Sequence, residues 1–275
     1  MTYKSFDALC RAIKKVRIQG AESVALTGIK ALRMKGANIK KLLSLRPTEP
    51  LLRNSILAAK KFGINYVLQH FNYARKEYIK NGTNLIKSNS IIFTHCHSSA
   101  VIRILKESKK QGKKFEVINT ETRPLFQGRK TAKELAEAGI KVTTIADLAA
   151  ADALEKGGSL KQANMVLIGC DAILSDGSII NKIGSGMFAE IAYNHKVPVY
   201  VVGNSWKFSP KKVILEMRSY KELWKKMPKH VKVKNPAFEK VDAKYIKAII
   251  SELGILKPKD FVKKVKKVYP WILSV

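Results

Sequence analysis

Apolar residues recur at helical spacing over roughly the first 85 residues, where almost no alternating strand pattern occurs. FDALCRAIKKVRI is followed by a break at Gln19-Gly20-Ala21, and ESVALTGIKALRMKG then ends on Gly36. After KLLSLRPTEP comes the long amphipathic run LLRNSILAAKKFGINYVLQHFNYARKEYIKNG. This pattern predicts an all-helical domain over residues 1–85.

From about residue 88, short apolar runs alternate with helical segments. Five runs predict buried strands: SIIFTH (90–95), FEVINT (115–120), KVTTIAD (141–147), NMVLIGCD (164–171) and VPVYVVGN (197–204). Strands that alternate with helices imply a parallel sheet covered on both faces. The sequence therefore predicts an α/β domain over residues 86–275.

Two local features refine this prediction. Thr131 and Glu134 have the spacing of a capping box, and Gly139 provides a stop after AKELAEA. From residue 235 the pattern returns to helices, first in AKYIKAIISELGIL and then in DFVKKVKKVYPWIL.

The composition is that of an ordinary globular protein, with 46% hydrophobic and 27% charged residues. No apolar run approaches the roughly 18 residues that a membrane span requires. The start, MTYKSFDALCRAIKK, lacks a secretory apolar region, so we expect an intracellular, cytoplasmic protein. Three cysteines form no disulfide framework and suit a reducing compartment.

Charge changes this picture in one respect. Lys and Arg number 52 against 21 Asp and Glu, a formal net charge of +31. Such an excess is typical of proteins that bind nucleic acid, but here the lysines are spread along the chain, which favours a solvated lysine-rich surface. In either case the surface would attract a small phosphorylated substrate, and weak non-specific nucleic-acid binding is an expected consequence.

Unusual residues cluster at the ends of three predicted strands. Cys96 follows the first strand, the segment 120–124 (TETRP) follows the second, and Cys170-Asp171 closes the fourth. Ligands gather at the carboxyl ends of parallel strands, so we expect these clusters to meet in one site.

Within FTHCHSSA, Ser98 and Ser99 fall at a helix start, where hydroxyls and free amides can hold a phosphate. The positive helix end also lowers a thiol pKa, so Cys96 is a candidate base or nucleophile. The alternative is an inert cysteine beside an ordinary N-cap. A metal site is disfavoured because strand alternation directs His95 and His97 away from the thiol. A cysteine protease is disfavoured because no sequence feature marks an oriented imidazole.

A carboxylate follows the apolar run MVLI in Gly169-Cys170-Asp171. Burial there would raise the pKa of Asp171 and let it act as an acid, whereas the alternative is a turn or N-cap aspartate. Downstream, Asn181 and Lys182 precede a Gly-Ser-Gly bend, which makes Lys182 a candidate phosphate or carbonyl ligand.

Two further cations follow strands. Arg123, fixed beside a proline, is a candidate bidentate phosphate ligand, or else a loop arginine paired to Glu121. Lys207 lies just past the fifth strand, where it is a candidate ligand or a surface charge.

Six segments together resemble one superfamily: THCHS, TETRPLFQG followed by TAKELAEAGI, GCDAILSDGSIINKIGS, VPVYVVGNSWKF and NPAFEKVD. It spans ribose-1,5-bisphosphate isomerase, methylthioribose-1-phosphate isomerase and the alpha, beta and delta regulatory subunits of the translation initiation exchange factor. The similarity keeps the same order from about residue 15 to residue 240.

The resemblance implies a helical amino-terminal domain followed by a Rossmann-like domain. It also implies that Cys96 is the catalytic base and Asp171 the acid of an aldose–ketose isomerase acting on ribose 1,5-bisphosphate. The regulatory subunits usually lack competent residues at both positions, so their presence favours an enzyme. No cofactor is implied; adenosine monophosphate is a candidate activator, and the expected assembly is a homo-oligomer, either a dimer or a hexamer.

With Arg123 added from the residue analysis, the substrate-binding residues predicted are Gln19, Gly20, Ala21, Arg46, Ser98, Ser99, Arg123, Asn181, Lys182 and Lys207. Two departures from the isomerases remove positive charge: Gln19 stands where arginine is usual, and Ser99 where lysine is frequent. Because of these two departures, the resemblance does not determine which sugar phosphate is the substrate. The short stretch between Gly20 and Cys96 favours the ribose-bisphosphate branch over the longer methylthioribose-phosphate isomerases.

The alternative is a non-catalytic protein similar to the translation-factor regulatory subunits. It would bind nucleotide, protein or RNA. The charge of +31 and the two missing site charges favour this interpretation.

Overall fold

A computed structural model describes residue 3 and residues 5–15, 17–18, 20–46 and 48–274. Within these ranges, helices precede the first strand, as predicted. They are α1 (Phe6–Lys14), α2 (Ala21–Ala31), α3 (Ile39–Ser44), α4 (Pro50–Phe62) and α5 (Ile64–Leu85). The side chain of Ser5 caps α1 by accepting from the Ala8 amide at 3.2 Å. Gly63, with φ of 88°, ends α4 and begins α5 in a conformation that glycine adopts without strain.

The rest of the described chain is an α/β region. Its elements are β1 (Ser90–Thr94), α6 (Ser99–Lys110), β2 (Phe115–Thr120), α7 (Gln127–Ala136), β3 (Lys141–Ile145), α8 (Ala150–Leu154), β4 (Met165–Gly169), β5 (Ala172–Leu174), β6 (Ile179–Lys182), α9 (Ser185–Asn194), β7 (Val199–Val202), β8 (Phe208–Ser209), β9 (Phe238–Val241), β10 (Ala248–Ser251), β11 (Gly254–Leu256) and α10 (Pro258–Val268). The seven-stranded sheet has the order β11-β10-β7-β4-β1-β2-β3, and all its neighbours are parallel except β10 and β11. A smaller sheet has the order β8-β5-β6-β9.

The strand order places a topological switch at the centre of the large sheet. From β1 the chain moves outward through β2 to β3, and then returns to pair β4 with the other side of β1. Helices that follow β1 and β4 therefore leave on opposite sides and open a crevice at the carboxyl ends of the strands. Cys96 and Asp171 follow these two strands.

Side chains alternate between two core clusters on the faces of the large sheet. Phe93 and Val166 belong to a cluster that also contains residues of α1, α2 and α4. Ile92 and Leu167 belong to the other cluster, together with residues of α6 and α7. The amino-terminal helices thus share a continuous core with one face of the sheet, which fixes their position over the crevice.

The five predicted strands are confirmed, with ends that differ by at most two residues. The predicted burial of KVTTIAD is wrong, because β3 is an edge strand of the large sheet and Lys141, Thr143 and Thr144 are exposed. The capping box is wrong, because α7 begins at Gln127 and Thr131 lies inside the helix, where its hydroxyl donates to the Cys96 carbonyl at 2.8 Å. Gly177, with φ of 85°, lies in the turn that connects β5 to the antiparallel β6.

The predicted helix AKYIKAIISELGIL is also wrong. Its central residues form β10, of which every side chain is buried, and β11 pairs with it in antiparallel register. A short apolar run looks the same in a buried strand and in a buried helix, and here the free edge of β7 decides the outcome. The last predicted helix is confirmed as α10.

Between β8 and β9, residues 210–237 are mostly irregular, with one 3₁₀ turn at Tyr220–Glu222. This segment is tied to the amino-terminal region by a hydrogen bond of 2.7 Å from Thr48 Oγ1 to the Ile214 carbonyl. No helix in the described ranges is long and apolar enough to cross a bilayer.

Candidate active site

A cavity opens at the carboxyl ends of β1 and β4 and is closed on one side by α2 and the segment before α4. Ten predicted site residues line it: Gly20, Ala21, Arg46, Cys96, Ser98, Ser99, Asp171, Asn181, Lys182 and Lys207. Gln19 lies outside the described residues. The structure therefore brings together residues that are up to 187 positions apart, since Lys207 and Gly20 face the same space (207 − 20 = 187).

The backbone of Cys96 is held in an unusual conformation. Its φ of 65° is in the left-handed region, which is unfavourable for most residues other than glycine, asparagine and aspartate. The Cys96 amide donates to Thr122 Oγ1 at 3.0 Å, and its carbonyl accepts from Thr131 Oγ1 at 2.8 Å. Two threonines from the neighbouring βα unit thus fix the residue that carries the thiol.

Burial dominates the electrostatics of the Cys96 thiol. It raises the pKa of Cys96 to about 11, although the ammonium of Lys182 acts in the opposite direction and the carboxylate of Asp171 adds to the increase. The expectation that the helix end lowers this pKa is therefore wrong, because the loss of hydration outweighs the nearby positive charge.

Asp171 is half-buried in the cavity wall, directly after β4. Its amide donates to the Ile180 carbonyl at 2.8 Å, so the backbone pairing of β5 with β6 fixes its position. Burial raises the pKa of the carboxyl group, against the effect of Lys207 and Lys182. The expectation that burial favours the protonated form at this strand end is confirmed.

The two histidines that flank Cys96 make structural contacts. His95 Nε2 donates to the Ile183 carbonyl at 3.0 Å, and Nδ1 lies 2.5 Å from Thr120 Oγ1. Burial lowers the pKa of His95 to about 4, so the ring is neutral at physiological pH. His97 Nδ1 lies 3.2 Å from Thr131 Oγ1. The described residues contain no cluster of three metal-binding side chains.

Two helix starts face the cavity. Ser98 is the N-cap of α6, and its hydroxyl accepts from the Val101 amide at 3.4 Å; Ser99 is the first helical residue. Gly20, with φ of 84°, begins α2 on the opposite side of the cavity. The free amides of both helix starts can bind an anion, which suits a substrate with phosphate groups.

A glycine allows β4 to approach α6. A Cβ atom at Gly169 would lie 2.5 Å from Ser98 Oγ, so any larger residue would displace the N-cap. The close packing explains why β4, which precedes Asp171, ends on a glycine.

Two ammonium groups of the cavity come from the second sheet and the loop after β7, in addition to the guanidinium groups of Arg46 and Arg218. Lys182 ends β6, and its Nζ lies 4.9 Å from the Phe238 ring centroid. Lys207 donates a hydrogen bond to the carbonyl oxygen of Cys170, next to Asp171. Asn181 is buried and donates to Ser185 Oγ at 2.9 Å, so it also stabilises the bend before α9.

Arg123 is exposed and is not among the residues that line the cavity. Its guanidinium carbon lies 5.0 Å from the Phe126 ring centroid, and its amide donates to Asp147 Oδ2 at 2.6 Å. The alternative pairing with Glu121 is wrong, because Glu121 accepts from Arg129 Nη2 at 2.8 Å. The role of Arg123 as a phosphate ligand stays a prediction.

The sequence analysis missed four charged residues that line the cavity: Glu22, Glu49, Glu216 and Arg218. Glu49 follows Arg46 by three residues, so its position in the sequence, close to the predicted arginine, could have indicated that it lies in the site. Glu216 and Arg218 lie in the irregular segment 210–237, where no periodicity assigns a direction to a side chain.

Comparison with known proteins gives a consistent result. The model of the Initiation factor 2 subunit family matches residues 59–258. The ribose 1,5-bisphosphate isomerase of Thermococcus kodakarensis is 32% identical, over 97% of this chain and 95% of the relative. The enzyme of the same name from Methanocaldococcus jannaschii is 33% identical, over 94% of each chain. The crystal structure of a Pyrococcus horikoshii translation initiation factor eIF-2B superposes with a TM-score of 0.81 at 25% identity, over 95% of this chain and 100% of that chain.

Proposed function

The chain belongs to the Initiation factor 2 subunit family, and from this premise we propose that it is an aldose–ketose isomerase that converts ribose 1,5-bisphosphate to ribulose 1,5-bisphosphate. The observation that carries the proposal is the convergence of Cys96 and Asp171 in one cavity, at the ends of adjacent parallel strands. Relatives named ribose 1,5-bisphosphate isomerase, similar over nearly the whole chain, support this substrate.

The reaction begins with opening of the sugar ring. Protonated Asp171 donates its proton to the ring oxygen while the bond from that oxygen to C1 breaks, which leaves an oxocarbenium ion at C1 stabilised by the phosphate ester oxygen. A carboxyl group whose pKa is raised by burial suits this role, because burial favours the protonated form that donates the proton.

The proton transfer at carbon follows. The Cys96 thiolate removes the proton from C2, and the electron pair of that bond forms the C1–C2 double bond of an enol. The Asp171 carboxylate then takes up the C2 hydroxyl proton and the Cys96 thiol, or an acid in exchange with solvent, gives a proton to C1, which forms the C2 ketone and restores both groups. Lys182, which lowers the pKa of Cys96, is placed to favour the thiolate and to stabilise negative charge that develops on the enol oxygen.

When Cys96 and Asp171 together hold one proton, that proton can lie on either group. The carboxylate of Asp171 raises the pKa of Cys96, so a proton that moves to Asp171 makes the thiol more acidic. The reactive form, thiolate with carboxylic acid, has the same net charge as thiol with carboxylate. Substrate binding therefore needs to shift only the position of this proton.

Phosphate binding is assigned to the remaining cavity residues. Lys207 and Lys182 supply ammonium groups, Arg46 supplies a guanidinium, and the starts of α2 and α6 supply free amides. The carboxylates of Glu49 and Glu216 oppose this positive charge.

The proposed function predicts turnover with exchange of solvent hydrogen. Purified protein incubated with ribose 1,5-bisphosphate in heavy water should form ribulose 1,5-bisphosphate with some deuterium at C1, measured by proton NMR. The reason is that the thiol, or an acid in contact with solvent, reprotonates C1 after proton abstraction at C2. Methylthioribose 1-phosphate and adenosine monophosphate provide the alternative substrate and a candidate activator for parallel reactions.

Two outcomes would contradict the proposal. Ketose formation without deuterium, even after many reversals, would indicate a hydride shift and remove Cys96 as base. Saturable thermal stabilisation by the sugar phosphate without any conversion would favour a binding protein.

Replacing Lys207 by methionine is expected to raise KM by about ten- to hundredfold, because a charge-assisted contact to phosphate contributes about 1.5–3 kcal/mol. The increase should be larger at low salt than at high salt, where ions screen the charge. Steady-state kinetics at two ionic strengths test this, with the exposed Lys110→Met on α6 as the control. An unchanged KM would remove Lys207 from the phosphate site.

We further propose a homo-oligomer. Residues 210–237 expose several large apolar side chains, among them Ile214, Met217 and Trp224. Apolar groups concentrated in one exposed segment are typical of a subunit contact.

A further inference from the structure

The guanidinium of Arg46 is buried among carboxylates. Its side chain is 7% exposed, it donates to Glu49 Oε1, and its Nε lies 3.8 Å from Glu216 Oε2. Arg46 Nε and Nη1 have no hydrogen-bond partner among the described residues. Most of the donor capacity of the predicted phosphate ligand is therefore unused, although the group lines the cavity.

The carboxylate side of this cluster is equally incomplete. Glu49 is 2% exposed, and its Oε2, like Oε2 of Glu216, lacks a hydrogen-bond partner within the part of the chain that is described. Buried polar atoms without partners are rare in folded proteins and indicate a site that is completed by another group. Here the residues that carry the unused donors and acceptors, Arg46, Glu49 and Glu216, all line one cavity.

Among the described residues, four charged side chains have the main electrostatic effects on Glu49. Arg46 and Lys207 attract a negative charge on Glu49, whereas Asp171 and Glu216 repel it. Burial is the largest effect, and together these influences raise the pKa of Glu49 to about 7. The carboxyl group therefore changes its charge near neutral pH, although an exposed glutamate would be fully ionised.

A phosphate dianion that enters the cavity changes this balance. Its oxygens can accept from the unused Nε and Nη1 of Arg46, and the dianion then lies beside the Glu49 carboxylate. Two adjacent negative charges in a buried site are strongly unfavourable. Protonation of Glu49 removes the repulsion and supplies an O–H that can donate to a phosphate oxygen.

We propose that Glu49 is a positioning residue that holds Arg46 before substrate binds and releases it to the substrate phosphate by taking up one proton from solvent. The inference rests on the proposed function for the identity of the substrate. It assigns to Glu49 a role in substrate binding and none in the bond-making steps. The proton comes from water, so no further reactant is needed.

The pH dependence of binding follows from this exchange. Below pH 7 Glu49 is mostly protonated, so Glu49 takes up few protons when phosphate binds. Above pH 7 binding must add a proton, so the affinity should fall about tenfold per pH unit, which amounts to about 100-fold at pH 9. The phosphate groups themselves are already dianionic there, because their second pKa is about 6. Their own titration does not produce a decrease in this window.

The test is calorimetric titration of the Cys96→Ser protein with ribose 1,5-bisphosphate and, separately, with inorganic phosphate. The serine variant is expected to slow conversion by about 10³-fold or more, and it removes the thiol titration. Repeating each titration at pH 6 and pH 8.5 in buffers with different ionisation enthalpies gives the number of protons taken up. We expect an uptake of about one proton at pH 8.5, and at pH 6 a net release, because Glu49 is already protonated there and the ligand loses protons when it binds as the dianion.

Three variants assign the proton. Glu49→Gln keeps the shape of the side chain without a titratable group, so it should abolish the uptake and bind with nearly the same affinity at both pH values. Glu222→Gln is the control, because Glu222 contacts Arg218 at the distal end of the same network without lining the cavity; it should retain the uptake. Loss of uptake in Asp171→Asn with retention in Glu49→Gln would overturn the assignment.

The wild-type pattern tests the inference even if a variant fails to fold. Binding at pH 8.5 without proton uptake would overturn it, as would failure of both ligands to bind. Turnover assays separate this result from the proposed function. Turnover without proton uptake would support the isomerase activity and contradict the proton exchange at Glu49. Phosphate binding with proton uptake but without turnover would support the exchange and contradict the isomerase activity.

Discussion

Replacing Cys96 with serine is expected to lower kcat by about 10³-fold or more, since general base catalysis contributes about 10²–10⁴-fold and an alcohol ionises far less readily than a thiol. Burial already raises the pKa of the Cys96 thiol to about 11, and an alcohol in the same position would stay protonated throughout the accessible pH range. The measurement is turnover of ribose 1,5-bisphosphate by the purified variant, followed by NMR.

Cys170→Ser is the matched control for this prediction. Cys170 is also buried, with a pKa raised to about 11, and it lies one residue before Asp171. It packs closely against Gly203 and has no role in the proposed chemistry, so serine there should change kcat by less than about tenfold. Comparable melting temperatures for both variants would exclude a general loss of structure. A sensitive Cys170 and a tolerant Cys96 would show that the assignment of the base is wrong.

The sequence predicted the large sheet well because its central strands are buried on both faces. Runs such as MVLIG have no polar alternation, and flanking glycines and helices leave few alternatives. The apolar run AIIS at residues 248–251 is also a buried strand, but the sequence analysis predicted a helix there. That run follows a helical-looking segment, and its strand character comes from pairing with β7, which is 46 residues earlier at its nearest ends (248 − 202 = 46).

The sequence predicted the site residues that follow strands, but it did not predict those that lie in irregular segments. Cys96 and Asp171 follow β1 and β4, so the topology of a parallel sheet was enough to bring them together. Glu216 reaches Arg46 through an irregular loop that no pattern describes. The acidity of Cys96 was predicted with the wrong sign, because burial depends on residues from the whole fold while the helix start is local.

Replacing Asp171 with asparagine is expected to lower kcat by about 10²–10⁴-fold with a modest change in KM, because the amide keeps the shape of the side chain and supplies no acidic proton for ring opening. Asp176→Asn is the control, since Asp176 lies five residues further along in the exposed turn between β5 and β6 (176 − 171 = 5). Its variant should retain normal turnover. Normal kcat in Asp171→Asn would remove this residue as the acid.

The same variant should make the Cys96 thiol more reactive, although it makes the enzyme slower. The negative charge of Asp171 raises the pKa of Cys96, so its removal should lower that pKa and increase the thiolate fraction at pH 8. Alkylation by iodoacetamide, followed at the Cys96 peptide by mass spectrometry, should be faster in Asp171→Asn than in the wild type, while Cys10 and Cys170 stay protected by burial. Opposite changes in turnover and thiol reactivity are expected only if the two groups form one coupled acid–base pair. Slower alkylation, or no change, would mean that they act separately.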